Sequence, residues 1–206
     1  MYADQHLVRY FPFVSCVMFV EFLQRHLAIC AQIDLPQMVK RDPGFWNVIS
    51  IREPHRPLPD FSRFRSYQTV ICYDIVGTDG LDPAELVFAP NHRHLAGIFD
   101  FADERPGQPL LVHCWAGQSR STAVALALMV RAMHLEGGSS DEIVQETIPR
   151  LLEIRPCAAP NPLVLRLGLG EFLAHEHAEV LAGLLVNHPA IYSNYYPGAS
   201  PGCGHG

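Results

Sequence analysis

Residues 123–130 read Ala-Val-Ala-Leu-Ala-Leu-Met-Val, with no polar side chain among them. A helix that is apolar on every side has no face to offer water, so it must lie at the centre of its fold. Its span reads as Arg120–His134, and Gly137-Gly138 stops it. An apolar run, Leu110-Leu111-Val112-His113, comes shortly before it and reads as a strand. A buried strand that turns within a few residues into a buried helix is half of a βαβ unit, and such units stack into parallel sheets with helices on their faces.

The remaining pattern agrees with alternation. Phe11–Val17 reads as a strand, and Met18–Ala28 as a short helix with Phe19, Phe22, Leu23 and His26 on one side. Asn47–Ile51 and Gln68–Tyr73 are compact strands joined by a Pro- and Arg-rich connection, Arg52–Arg65. Gly77–Pro90 reads as a loop, and Asn91 caps a helix running to Ala102. Ser139 with Glu142 forms a capping box for a helix to Glu153, which Pro149 kinks or divides. Asn161-Pro162 opens a final helix through Leu173. Beyond about residue 178 the pattern fades, and Tyr192–Gly206 reads as a mobile tail. The expected organisation is an N-terminal extension (1–44) packed on one α/β domain (45–178), followed by a tail (179–206). The sheet is short, mostly parallel and flanked by helices.

Composition narrows the function. The chain has 206 residues, 49% hydrophobic and 17% charged, which suffices for a full core. Its formal charge of −6 gives no basic field to draw a nucleic acid backbone. Lys40 is the sole lysine among 15 basic residues, so an electropositive site must come from arginines or backbone amides. The six cysteines (Cys16, Cys30, Cys72, Cys114, Cys157, Cys203) form no C-x-x-C pair and read as reduced thiols. Tyr10–Val20 is too short to cross a bilayer. Leu27-Ala-Ile-Cys30 has a partial likeness to a lipoprotein cleavage box, but polar residues interrupt the run before it and Ile29 sits where a small residue is wanted. A soluble, cytoplasmic protein with no membrane partner is expected.

Between strand and helix stand His113, Cys114, Trp115, Ala116, Gly117, Gln118, Ser119, Arg120 and Ser121. This is the carboxyl end of a strand and the amino end of a helix, where ligands bind in open α/β sheets and where unpartnered amides favour anions. Gly117 permits a turn that a Cβ would obstruct, and the amides of 115–120 can converge as a nest. Arg120 offers a planar fork to two oxygens of a tetrahedral oxyanion. The same field favours a thiolate at Cys114, poised for in-line attack on phosphorus. Ser121 is placed to hydrogen-bond the sulfur, and His113 to steady the cysteine's backbone. Amides and arginine already neutralise the developing charge, so no metal or cofactor is called for.

The string His113-Cys114-x-x-Gly117-x-x-Arg120-Ser121 resembles the H-C-x-x-G-x-x-R-[ST] loop of the cysteine-dependent protein tyrosine and dual-specificity phosphatases. The resemblance extends to Tyr73-Asp74-Ile75, Leu110–Gly117 and Ile154-Arg-Pro…Pro160-Asn161, over roughly 45–173, and points to compact bacterial members. It implies a protein tyrosine phosphatase-like α/β/α fold and a phosphocysteine intermediate. It also implies an aspartate general acid after the preceding strand, with Asp74 favoured, then Asp82, and Asp79 third. Phosphate, vanadate or sulfate would bind as active-site anions.

Other chemistries are weighed against this one. A phosphate-binding module without turnover would follow if none of the three aspartates reached the leaving group. A rhodanese-type sulfurtransferase also uses a cysteine anion loop, but with its glycine and arginine placed differently. His92-x-His94 and His175-x-His177 lack the spacing and cysteine partners of a metal site, as does Cys203-Gly-His205. Cys72 reads as a core thiol, with a disulfide to Cys114 as the alternative. Asn161 reads as a helix cap or a brace for the loop. The loop's variable residues are uncharged, which disfavours polyphosphorylated inositols even with Arg52, Arg56, Arg63 and Arg65 nearby. The expected substrate is a protein phosphorylated at tyrosine, with serine or threonine as the wider alternative, or a small aryl phosphate.

Overall fold

The computed structural model describes residues 16–195. Its frame is a five-stranded sheet in the order β1-β2-β5-β3-β4. The strands are β1 (Met18–Val20), β2 (Arg25–Ala31), β3 (Asn47–Arg52), β4 (Ser66–Ile71) and β5 (Leu110–Cys114). Only the β1–β2 pair is antiparallel; β2–β5, β5–β3 and β3–β4 are parallel. Eight helices accompany them among the described residues: α1 (Leu35–Arg41), α2 (Pro83–Leu86), α3 (His92–Asp103), α4 (Arg120–Leu135), α5 (Ser140–Ile154), α6 (Pro162–Leu169), α7 (His175–Val186) and α8 (Pro189–Tyr195). The expected α/β class and mostly parallel sheet are what the chain adopts.

Alternation along the strands divides the core in two. Leu27, Ile29, Ile49, Leu110, Val112 and Cys114 face the larger cluster, which α3 to α8 cover. Ala28, Cys30, Val48 and Leu111 face a smaller one, closed by Leu35 and Met38 of α1 with Trp46, Phe61 and Phe64. Helix α4 is buried from Arg120 through Val130, as its all-apolar sequence requires.

Several expectations of the sequence are corrected. Met18–Ala28 is a β-hairpin, not a helix: a 3-10 turn at Glu21–Leu23 follows β1, and Gln24 turns the chain in the left-handed region (φ 51°). The apolar stretch Leu27–Ala31 is a strand buried on both faces, which leaves no alternation to betray it. Residues 18–31, set apart as an extension, therefore contribute two strands of the sheet. The helix opened by Asn161-Pro162 ends at Leu169 and is not the last; α7 and α8 come after it, with Ala178, Leu181, Leu185 and Ile191 in the core. Pro149 does not divide α5, which runs through it to Ile154. The Gly77–Pro90 loop includes one short helix, α2, whose N-cap is Asp82. Of the strand expected at Phe11–Val17, residues 11–15 lie outside the described residues, as do 196–206 of the tail.

Candidate active site

Strand β5 delivers Cys114 to the sheet's carboxyl edge, and the next six residues curl into α4. Gly117 holds φ +67°, and a Cβ there would lie 2.5 Å from the backbone of Cys30 and Ala31 at the end of β2. Glycine is thus required twice, by backbone conformation and by close approach.

Every carbonyl from Trp115 to Ser119 is engaged away from the loop's interior. Trp115 O accepts from Gln32 N (3.2 Å), and Gln118 O from Ala159 N (2.9 Å). Ser119 O accepts from the amides of Ala123 and Asn161. The carbonyls of Ala116 and Gly117 accept from the Arg155 guanidinium, from Nη2 at 3.1 Å and Nε at 2.9 Å. Among the described residues, no backbone amide from 115 to 119 donates to another backbone group. Peptide planes with outward carbonyls turn their N–H groups inward, the arrangement that an anion-binding nest requires.

Cys114, 1% exposed, sits at the floor with Sγ 3.1 Å from Ser121 Oγ. Arg120, also 1% exposed, donates from Nη1 to Cys72 O (2.5 Å) and from Nη2 to Glu53 Oε1 (3.2 Å). Its Nε has no hydrogen-bond partner and lies 3.5 Å from Asp74 Oδ2. Burial works against the guanidinium's charge, but Cys114, Asp74, Cys72 and Glu53 outweigh it and raise the pKa. An arginine so held is a permanent cation whose Nε–H makes no hydrogen bond.

Asp74 is at the centre of the opposite wall. Its Oδ1 accepts from Ser119 Oγ and from Asn161 Nδ2, both at 2.7 Å. Asn161 also donates to Ile75 O (3.0 Å) and accepts from Val164 N as the cap of α6, so it both caps and braces. Asp82 is placed differently: its Oδ1 accepts from Ala84 N and Glu85 N at 2.8 Å as the cap of α2. Asp79 is exposed on the intervening loop.

His113 points to the other face of the sheet, beside its register partner Ser50. It is fully buried, and although neither ring nitrogen has a hydrogen-bond partner of ordinary geometry, the ring lies against the Cys114 backbone. Burial lowers its pKa to about 4, offset in part by the Cys114 backbone and reinforced by Arg52. The imidazole is therefore neutral near pH 7. Burial likewise pushes the Cys72 thiol up to about 11, against the pull of Arg120.

The rim is built by the turn after β3. Arg56 lies over the Trp115 ring (3.9 Å to the centroid) and donates to Glu53 Oε2 (3.1 Å). Glu53 thereby links Arg56 to Arg120, and its place at a strand's carboxyl end was the one sequence signal for it. Arg155 had no signal beyond its place in the Ile154-Arg-Pro segment. The paired histidines serve local contacts: His92 Nδ1 meets Glu171 at 2.7 Å and His177 meets Ser140 at 3.1 Å.

No family model matches the chain. It is 27% identical over 123 residues to the phosphatidylglycerophosphate phosphatase PTPMT1 of Arabidopsis thaliana, covering 58% of this chain and 33% of that protein. The chain thus spans about a third of that relative's length. Among solved structures it is similar to the Yvh1 phosphatase domain from Chaetomium thermophilum (TM-score 0.51, 20% identity, 70% of this chain and 88% of that one). It is also similar to PTPMT1 in complex with PI(5)P (TM-score 0.50, 17% identity, 78% and 96%). The chain has the fold of the protein tyrosine and dual-specificity phosphatases, and it carries the cysteine-and-arginine loop that its sequence shares with them.

Proposed function

We propose that this chain hydrolyses phosphomonoesters, aryl phosphates such as phosphotyrosine foremost, through a phosphocysteine. The observation that carries this reading is the outward engagement of all five carbonyls from Trp115 to Ser119 above a buried thiol. The inward amides and the Nε of Arg120 bind three phosphoryl oxygens and neutralise charge as it develops. The Cys114 thiolate attacks phosphorus, the P–O bond to the leaving group breaks, and the Asp74 carboxyl gives its proton to the departing oxygen. Asp74, now a carboxylate, takes a proton from water. The water oxygen attacks phosphorus, the P–S bond breaks, and Ser121 stabilises the returning thiolate by a hydrogen bond.

Asp74 supports turnover over silent binding because a carboxylate already stands beside the cradle. A phospholipid monoester is the second reading, favoured by the likeness to the Arabidopsis lipid phosphatase. We also propose a cytoplasmic location; among the described residues, no helix is long and apolar enough to cross a membrane. The test is hydrolysis of p-nitrophenyl phosphate in chelator, of a phosphotyrosyl peptide and of phosphatidylglycerophosphate, by wild type and Cys114→Ser. Turnover of the first two that is lost in Cys114→Ser is expected. No turnover by folded protein that still binds vanadate would favour the silent module, and a persulfide on Cys114 a sulfurtransferase.

A further inference from the structure

The cleft beside Asp74 bears on which leaving group is taken, an inference that rests on the phosphatase reading. It has a volume of about 350 Å³ and is lined by Glu53, Tyr73, Asp74, Ile75, Leu81 and Glu85. Three of these six are carboxylates, three offer ring or apolar surface, and none is basic. The carboxylates are not equivalent. Glu53 is paired with Arg120 and Arg56, and Asp74 faces Arg120. Glu85 has no ion pair among the described residues; its Oε2 accepts only the Asp82 amide of the capping box. It is therefore an uncompensated negative charge, and Asp79 and Asp82 share its loop.

The inner end of the cleft is fixed by an independent feature. Arg120 Nε, buried and without a hydrogen bond, lies 3.5 Å from Asp74 Oδ2, so the cleft's Asp74 borders the guanidinium that would receive a phosphoryl oxygen. A ligand spanning the two ends meets anion-binding donors first, then Tyr73, Ile75 and Leu81, then Glu85. We propose that this cleft selects aryl phosphates flanked by positive charge, namely phosphotyrosyl peptides with arginine or lysine beside the phosphotyrosine, and that Glu85 determines the preference. A headgroup bearing further phosphates would set them against Glu85 in a cleft whose lining holds no basic residue.

The experiment compares two phosphotyrosyl peptides of equal length, one flanked by arginines and one by glutamates. Binding is read by fluorescence anisotropy on the full Cys114→Ser chain, alone and combined with Glu85→Gln or Glu85→Arg. Glu85→Gln keeps an acceptor for the Asp82 amide, so the cap of α2 survives. At low salt the basic peptide should bind roughly tenfold tighter, since each exposed charge contact is worth a few-fold and several act together. The ratio should fall to about threefold or less in Glu85→Gln, vanish or invert in Glu85→Arg, and shrink with added salt. Equal binding of both peptides, or a preference that Glu85→Arg leaves intact, overturns the assignment. Tighter binding of a soluble inositol polyphosphate than of either peptide also overturns it. Metal-free p-nitrophenyl phosphate hydrolysis by wild type, run alongside, tests the phosphatase reading separately. Absent turnover with a Glu85-dependent preference rejects catalysis and upholds the cleft; turnover without the preference does the reverse.

Discussion

Arg155→Met asks whether the phosphate cradle is held open from behind. Arg155 is 4% exposed and donates to two successive carbonyls of the loop, those of Ala116 and Gly117. Hydrogen bonds to a charged donor contribute about 1.5–3 kcal/mol each, and methionine refills most of the apolar stem without replacing either. The loss of two such bonds, softened by water reaching the freed carbonyls, should come to about 3 kcal/mol. In a chain of this size that is a fall in Tm of roughly 6–12 °C. The larger effect should be catalytic. If the 116 and 117 peptide planes are released, their amides no longer converge above Cys114, and misplacement by about 1 Å commonly costs on the order of 100-fold in rate. The assay is kcat/KM for p-nitrophenyl phosphate with vanadate affinity measured in parallel, because both read the same amides. Both should fall together by about 100-fold while far-ultraviolet circular dichroism at about 20 °C stays unchanged. A variant that keeps kcat/KM within about threefold and Tm within about 2 °C would refute the idea that outward carbonyls organise the site.

Other substitutions probe the remaining parts. Gly117→Ala places a Cβ 2.5 Å from the Cys30–Ala31 backbone in a left-handed conformation; activity should fall by about 100-fold or more and anion binding with it, as isothermal titration would show. Asp74→Asn should lower kcat on a phosphotyrosyl peptide by about 100-fold or more, whereas Asp82→Asn should change it by less than about threefold, because Asp82 is spent on the cap of α2. His113 gives a pH signature. Its folded pKa of about 4 lies below the ordinary value of 6.5, so between the two the unfolded chain binds more protons and stability rises with pH. Stability should be complete above about pH 6.5 and decline by about 3 kcal/mol as pH falls to about 4. Urea titrations from about pH 7.5 to about 4 should show that loss in wild type, and a much flatter difference curve for His113→Asn.

The errors of sequence reading have local causes. Strand β2 carries five successive apolar residues, Leu27 to Ala31, because both of its faces are covered, and such a run has no period to distinguish it from a buried helix. The turn that precedes it is made by Gln24, a residue that announces no turn, rather than by glycine or proline. Helix α7 does carry a legible pattern: Ala178, Leu181, Ala182 and Leu185 are spaced at i, i+3, i+4 and i+7. Its start at Ala174 offers no capping side chain, and the histidine- and glutamate-rich first turn hides the pattern. By contrast Asn91, Ser139 and Asn161 each accept from the amide three residues on, and the helices they open begin where the sequence places them.

The same distinction separates the parts of the site. The proposed cradle is contiguous in sequence, so the candidate nucleophile, glycine, arginine and hydroxyl could be read together from 113–121. Whatever supports it comes from elsewhere and depends on strand order. Because β5 lies between β2 and β3, with β4 beyond, three carboxyl ends converge on its own. The end of β2 presses its backbone against Gly117, the end of β3 sends Glu53 to Arg120, and the segment after β4 brings Asp74 to Ser119 and Arg120. A parallel arrangement is what makes this possible, since antiparallel neighbours would send alternate strand ends to the far side. Each neighbour therefore supplies a different element, a steric floor, an anchor and a carboxyl group, in the order in which the strands lie. Arg155, from the end of α5, closes the cradle from behind, and its role follows only from the packing of α5 beside β2 and α4.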